Sequence, residues 1–197
     1  MPPKSLPNSP HHDPEEGYVQ DLQEANGWLF KPRGLNIVWG NDDRYWCLPP
    51  EGHIFDAHHL VSLQEDGPAE LKGVTWFEVT GSTKENLKRG KKYEISFLVS
   101  VNTGASCWND LPIFIMATVG TGGSGRWKRI NLPIQDGDNK FEIPEGKFLI
   151  DVPETECDDS KLHFGLYEVW NASWKVGLQI HEARVQEVKE NYENDAL

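Results

Sequence analysis

The chain has 197 residues and a formal net charge of −12 at pH 7. This length predicts one domain with tails and is sufficient to bury a hydrophobic core. The acidic balance disfavours nucleic acid as a partner, because affinity for a phosphate backbone comes from clustered lysine and arginine. The one compact basic cluster that contains an aromatic residue, at 126–129, is interpreted as a solvated strand face.

The three cysteines and the N-terminal residues bear on the compartment of the protein. Cys47, Cys107 and Cys157 are widely spaced and odd in number, which predicts neither a disulfide framework nor a zinc site. The first residues lack the apolar segment of a secretion signal, and no apolar run has the length of a membrane span. We therefore expect a cytoplasmic protein, not secreted, with no cofactor and no bound metal.

The N-terminal stretch 1–31 is rich in proline, acidic residues, asparagine and histidine and has few periodic apolar positions. This composition predicts a flexible, disordered arm, from which Trp28-Leu29-Phe30 folds back onto the domain because three exposed apolar side chains in a row are unfavourable. The domain itself is predicted at 32–189, and the acidic residues 190–197 are predicted to form a frayed tail.

From Pro32 onward, short β-runs alternate with Gly, Pro, Asn and Asp, and little of the chain has helical periodicity. Strands at this spacing predict an all-β fold, an antiparallel β-sandwich of jelly-roll type. In the strongest run, Tyr93, Ile95, Phe97, Val99 and Val101 share one face. The predicted strands are 35–39, 45–48, 58–63, 70–81, 92–102, 112–119, 126–133, 140–143, 146–152, 161–170 and 176–188.

Two aromatic hairpins are predicted, one near each end of the domain. The first has Trp39 on one strand and Tyr45 and Trp46 on the next, joined by a polar turn that contains Asn41 and Asp42. An indole face suits the C–H face of a sugar ring, and Asn and Asp suit its hydroxyls, although a hairpin with tryptophans in the core fits the same residues.

The second hairpin repeats this chemistry at 166–177, with a carboxylate and indoles around a turn. Eight tryptophans exceed the needs of a small core, which indicates that several line a site or an interface. The side chains expected at the mouth of the second hairpin are Glu168, Trp170, Trp174 and Lys175.

The sequence carries only weak signatures of an enzyme. The chain has no Gly-x-Ser-x-Gly or His-Glu-x-x-His motif. His58 and His59 would point to opposite faces of a strand and so would not share a metal. The sequence alone does not exclude a pair of catalytic carboxylates of the glycosidase type among Asp42, Asp43 and Glu168. We nevertheless predict a protein with no catalytic activity and no catalytic residues.

Four pieces, in family order, resemble the phloem protein 2 (phloem lectin) family, which includes the tobacco leaf agglutinin Nictaba. They are Ile37-Val-Trp-Gly with Tyr45-Trp46, Val74-Thr-Trp-Phe-Glu-Val-Thr-Gly, Tyr93-Glu-Ile-Ser-Phe, and Phe164-Gly-Leu-Tyr-Glu with Ser173-Trp-Lys-Val-Gly-Leu. The resemblance implies a jelly-roll sandwich that binds GlcNAc oligomers (chitin fragments), N-glycan cores or glycoproteins carrying them. It also implies a homodimer located in the cytoplasm, the nucleus or the phloem sieve element.

The resemblance assigns carbohydrate binding to Trp39, Trp46, Glu168, Trp174 and Lys175, to which the hairpin chemistry adds Asn41 and Asp42. Leu48 stands where some relatives have a further tryptophan. The leading hypothesis is a non-catalytic lectin. The alternative is a structural or interaction protein of the phloem that binds protein or RNA, with sugar binding weak or lost.

Overall fold

The computed structural model describes residues 9–50, 67–102, 105–121, 125–133, 139–155 and 158–189. Over these ranges, short 3-10 turns connect β-strands. The predicted strand 58–63 with His58 and His59, Cys157 and the predicted tail 190–197 lie outside them. The strands are β1 Val19–Leu22, β2 Gly27–Phe30, β3 Asn36–Ile37, β4 Trp46–Cys47, β5 Ala69–Leu71, β6 Phe77–Ser82, β7 Lys92–Val101, β8 Ile113–Val119, β9 Arg126–Ile130, β10 Phe141–Ile143, β11 Leu149–Asp151, β12 Leu162–Glu168 and β13 Leu178–Glu187.

Two antiparallel sheets pack face to face, which confirms the predicted β-sandwich. Within the described residues, one sheet has five strands in the order β3-β6-β12-β8-β9, and the other has eight, with β7 and β13 at its centre. Phe164 of the smaller sheet contacts Phe30 and Phe97 of the larger, with ring centroids 5.0 and 5.8 Å away. The core therefore lies between the sheets.

The alternation predicted for β7 is confirmed. Its five apolar residues from Tyr93 to Val101 are all buried, and the residues between them face outward over most of the strand. β13 pairs with β7 from Leu178 opposite Val101 to Glu187 opposite Tyr93, with an irregularity between Ile180 and Glu182. Long alternating strands thus form the centre of the sheet, as burial of one face requires.

The N-terminal boundary predicted at residue 32 is corrected by the structure. β2 pairs with residues 183–186 of β13, and β1 pairs with β2. Phe30 is fully buried. A Cβ on Gly27 would lie 2.2 Å from the Val185 carbonyl oxygen, so the strands approach at a distance that only glycine permits. These strands of four residues have too little periodicity to be recognised without their partner.

Two predicted elements are divided between the sheets. The predicted strand 70–81 is two strands, β5 in the eight-stranded sheet and β6 in the five-stranded sheet. The predicted first hairpin is also corrected, because β3 pairs with β6 whereas β4 pairs with β5. The connections from β3 to β4 and from β5 to β6 therefore cross between the sheets at the same end, and both carry aromatic residues.

None of the helical segments in the described part of the chain has the length and apolar character needed to cross a bilayer.

Candidate functional site

Exposed aromatic side chains concentrate at one end of the sandwich. In the smaller sheet, Glu168 at the end of β12 lies opposite Phe77 at the start of β6, and Ile37 at the end of β3 lies opposite Val79 of the same strand. The connections that leave this end carry exposed indoles. We call these side chains, with Tyr45, the aromatic rim: Trp39, Tyr45, Trp76, Trp170 and Trp174, the tryptophans being 36%, 49%, 61% and 60% exposed.

Trp39 has an unusual backbone conformation, with φ at 66°. The left-handed region is unfavourable for a residue with a large side chain, and such strain persists only where the surroundings impose it. Here the Trp39 amide donates to His11 Nδ1 (3.0 Å), and the indole lies between the rings of His11 and Tyr45, at 5.2 and 5.5 Å. Two neighbours therefore hold the indole with part of its surface open to solvent.

Asn41 and Asp42 already have partners within the protein. The Asn41 amide donates to the carbonyl oxygens of Ser9 (3.2 Å) and His11 (2.6 Å), so it holds the N-terminal segment beside Trp39. The Asp42 carboxylate accepts from the Arg44 guanidinium at 2.7 and 3.0 Å, and these hydrogen bonds hold the pKa of Asp42 below its ordinary value. Both side chains shape the turn that presents the aromatic residues.

Trp46 occupies the core, which corrects its predicted stacking role. Its side chain is 1% exposed and packs against Phe77, with ring centroids 6.1 Å apart. The indole N–H donates to the Val38 carbonyl oxygen at 3.1 Å. Because neither face of the indole reaches the surface, no sugar ring can stack on it in this structure.

Glu168 and Lys175 meet as a buried ion pair beneath the rim. The Lys175 side chain is fully enclosed and that of Glu168 nearly so. The Lys175 ammonium also donates to the backbone carbonyl oxygens of Thr75 (2.6 Å) and Asn171. A Glu168 carboxylate oxygen accepts from the backbone N–H of Asn171 at 3.1 Å. The pair thus holds together three segments that carry exposed tryptophans, instead of presenting its charges to solvent.

Backbone contacts connect the two halves of the rim. The Tyr45 carbonyl oxygen accepts from the amides of Lys72 (2.9 Å) and Gly73 (3.2 Å), and Val74 pairs with Lys175. The Trp174 ring lies against Gly73. The segment 72–75 therefore lies between Tyr45 on one side and Trp174 on the other, and the indoles predicted at two separate hairpins belong to one end of the molecule.

Two residues of this end were missed as site residues in the sequence. His11 falls in the stretch predicted to be flexible, so nothing in the sequence indicated its contact with Trp39. Trp76 precedes a buried strand, and its outward position followed from the alternation around Phe77. Its indole N–H donates to Glu78 at 2.8 Å, which leaves the ring 49% exposed.

The rim combines flat apolar rings with a few polar groups. Over the described residues, no group of three or more His, Cys, Asp or Glu side chains is placed to hold a metal ion. Exposed indole faces bind apolar surfaces, including the C–H face of a pyranose, while neighbouring amides and carboxylates bind hydroxyls.

Comparisons with known proteins agree on the family. The Phloem protein 2 family matches residues 25–186. The chain is 41% identical to Protein PHLOEM PROTEIN 2-LIKE A9 of Arabidopsis thaliana over 93% of this chain and 99% of that protein. It is 31% identical to a lectin of Luffa acutangula over 67% of this chain and 59% of the lectin.

A more distant likeness exists to the CBM22-1 xylan-binding domain of Paenibacillus barcinonensis Xyn10C, with 16% identity and a TM-score of 0.40 over 75% of this chain and 88% of the domain. The extent of the family match and the similarity along nearly the whole Arabidopsis protein establish the relationship. The chain is a member of the phloem protein 2 family.

Proposed function

We propose that the protein is a non-catalytic lectin whose aromatic rim binds GlcNAc oligomers or N-glycan cores. The observation that carries this proposal is the concentration of exposed tryptophans at one end of the sandwich. Indoles are highly buried on average, so several exposed ones at one place indicate a binding surface. The Luffa relative, itself a lectin, supports a sugar as the ligand.

In this proposal Trp39 and Trp174 contact the sugar directly, and Glu168 and Lys175 act as positioning residues. The two indoles would stack on pyranose rings or hold the methyl group of an N-acetyl substituent. The buried ion pair fixes the connection that carries Trp174. A shallow site of this kind supplies about 4 to 8 kcal/mol of binding free energy, corresponding to millimolar to micromolar affinity.

The test combines a glycan array with titration of chitotriose. Trp39→Ala and Trp174→Ala are each expected to weaken chitotriose binding at least about tenfold, with little change in folding stability because both side chains are exposed. Lys88→Ala, at the opposite end of the sandwich where Lys88 pairs with Glu187, serves as the matched control. Unchanged affinity in both tryptophan variants would reject the rim as the sugar site.

The alternative function, a phloem protein that binds protein or RNA through the same rim, predicts a different result. An array that stays blank at high protein concentration, together with a protein or RNA that binds the wild type but not Trp174→Ala, would favour it. A chitin oligomer that is cleaved during incubation would instead indicate an enzyme.

Weak individual sites gain strength when they are linked, so we also propose that the protein acts as a homodimer in the cytoplasm or phloem. Two sites on one particle raise the apparent affinity for a multivalent glycoprotein well above that of a single site. Sedimentation of the purified protein, compared with its agglutination activity, tests this part of the proposal.

A further inference from the structure

The outer face of the five-stranded sheet has an exposed aromatic surface of its own. Residues that point away from the core include Phe114 and Met116 on β8, Tyr167 on β12 and Trp127 on β9. Trp127 is 65% exposed and lies opposite Met116 in the strand register. Phe114 contacts both Trp127 (5.9 Å) and Trp170 (4.9 Å), so this face adjoins the aromatic rim at Trp170.

A groove of about 540 Å³ runs over the central strands of this face, within the range of small-molecule sites. Gly165 of β12 lies between two residues of its lining in the strand register, Thr80 of β6 and Met116 of β8. A Cβ at Gly165 would lie 2.6 Å from the Val79 carbonyl oxygen and 2.8 Å from the Thr80 methyl group. The strands therefore require glycine there, and the Tyr167 ring lies beside it, since the same Cβ would lie 3.1 Å from a carbon of that ring.

The chemistry of the groove favours an uncharged, hydroxyl-rich ligand. None of the described residues that line it is Lys, Arg, Asp or Glu, and its polar groups include Asn36, Thr80, Ser82 and the Tyr167 phenol. The Tyr167 phenol is protonated at neutral pH, as any tyrosine is, and can donate; burial raises its pKa further. The Asp13 carboxylate beside Asn36 (3.5 Å) would repel an anionic ligand.

The position of the groove argues against a peptide as its occupant. β12 lies between β6 and β8, and its backbone hydrogen-bonding groups are used along the groove by these two neighbours. A peptide that binds by adding a strand needs a free sheet edge, so the central strands offer only side chains. Neighbouring strands lie about 4.8 Å apart, which makes the path from Asn36 to Trp127 across the sheet long enough for several sugar rings.

We propose that this outer face is a second carbohydrate site, which binds a neutral oligosaccharide across the strands. Trp127 supplies the exposed stacking ring, Met116 and the Tyr167 ring line the apolar floor, and Asn36 and Thr80 bind hydroxyls. The inference rests on the proposed lectin function, which it extends from one site to two.

The test follows the indole N–H signals of the tryptophans by NMR while chitotriose, cellotriose or trigalacturonic acid is added to the whole protein. Single tryptophan substitutions assign the signals. The indole signal of Trp127 is expected to shift when at least one neutral trisaccharide is added. The same shift is expected in the Trp39→Ala/Trp174→Ala variant, which lacks both proposed contacts of the rim. The double variant Asn36→Ala/Thr80→Ala keeps the Trp127 reporter and is expected to weaken this second binding event at least about tenfold while leaving the rim signals responsive.

Arg129→Ala is the matched control, because Arg129 is also exposed and outward on β9 but lies opposite Phe114, whereas Trp127 lies opposite Met116, which lines the groove. This variant should bind the neutral sugars as the wild type does.

A Trp127 signal that stays unmoved while rim signals shift would overturn the second site and leave the proposed function standing. A Trp127 signal that shifts while rim signals do not would support the second site and reject the rim. If the Trp127 signal responds only to trigalacturonic acid, and if this response is lost in Arg129→Ala, the proposal that the ligand is uncharged would be overturned.

Discussion

At the scale of single residues, burial separates the indoles that are open to solvent from those that are enclosed in the core. Trp39 and Trp46 occupy similar sequence surroundings, yet one is 36% exposed and the other 1%. The difference is that the indole N–H of Trp46 is satisfied by the Val38 carbonyl oxygen inside the core, so complete burial leaves no polar group unpaired.

Trp46→Ala is therefore expected to destabilise the fold by about 3 to 5 kcal/mol, the usual effect of removing a large buried aromatic side chain. Trp46→Phe should be milder, because it keeps much of the apolar volume and loses mainly the hydrogen bond to Val38. Urea unfolding measures both, with Trp174→Ala as the exposed control, expected within about 0.5 kcal/mol of wild type. A stable Trp46→Ala protein that has lost sugar binding would restore Trp46 as a direct contact.

At the scale of elements, the connection between β12 and β13 is held by one buried cation. Lys175 donates to carbonyl oxygens on two segments and pairs with Glu168. Removal of one partner from a buried pair leaves an uncompensated charge, which is more harmful than removal of both. The ion pair thus couples the position of Trp174 to the stability of the fold.

Glu168→Ala is expected to cost about 3 to 5 kcal/mol of unfolding free energy, because Lys175 remains buried without its counter-charge. The double variant Glu168→Leu/Lys175→Met should recover much of this loss, yet bind chitotriose more weakly than wild type because the connection loses its anchor. Thermal unfolding and titration of the single and double variants form a double-mutant cycle. If Glu168→Ala instead keeps wild-type stability and loses binding, Glu168 contacts the sugar itself.

The N-terminal strands show how an element depends on its partner. β1 and β2 have four residues each, and β2 is placed by pairing with β13, some 150 residues later in the chain. The buried Phe30 gains its contacts from Phe164 on the opposite sheet. Local composition around these strands is polar and Pro-rich, which explains why it predicts a flexible arm where the chain forms the edge of a sheet.

At the scale of the whole molecule, one buried and one partly buried tyrosine connect the stability of the sandwich to pH. Burial raises the pKa of Tyr93 in the eight-stranded sheet and of Tyr167 in the five-stranded sheet. The folded state therefore binds these protons more tightly than the unfolded chain, in which tyrosine titrates near pH 10. The resulting stabilisation is fully present below about pH 10 and is lost as the pH rises through the folded-state values.

Unfolding free energy, measured in urea at pH 8, 9, 10 and 11, should thus decline at the alkaline end. Tyr93→Phe/Tyr167→Phe should start from a lower stability at pH 8, since the Tyr93 hydroxyl accepts from the Lys88 amide, but should decline less between pH 9 and 11. Parallel curves for wild type and the double variant would show that other groups govern the alkaline loss.

The sequence by itself determined the class of the fold and the face to which most strand residues point. Alternation placed the apolar residues of β7 in the core. Such patterns are local, because successive side chains of a strand point to opposite sides whatever its partner is. The family likewise followed from short pieces in order along the chain.

Tertiary structure decided which indoles reach solvent, which strands pair, and what the polar residues of the two turns contact. These outcomes depend on approaches between distant segments, such as Lys175 beneath Thr75 and His11 beside Trp39. A local pattern carries no information about such approaches, because burial is a property of the packed surroundings and not of the residue type. For that reason Trp46, Glu168 and Lys175 were predicted from the sequence to bind sugar, whereas the fold buries them beneath the aromatic rim.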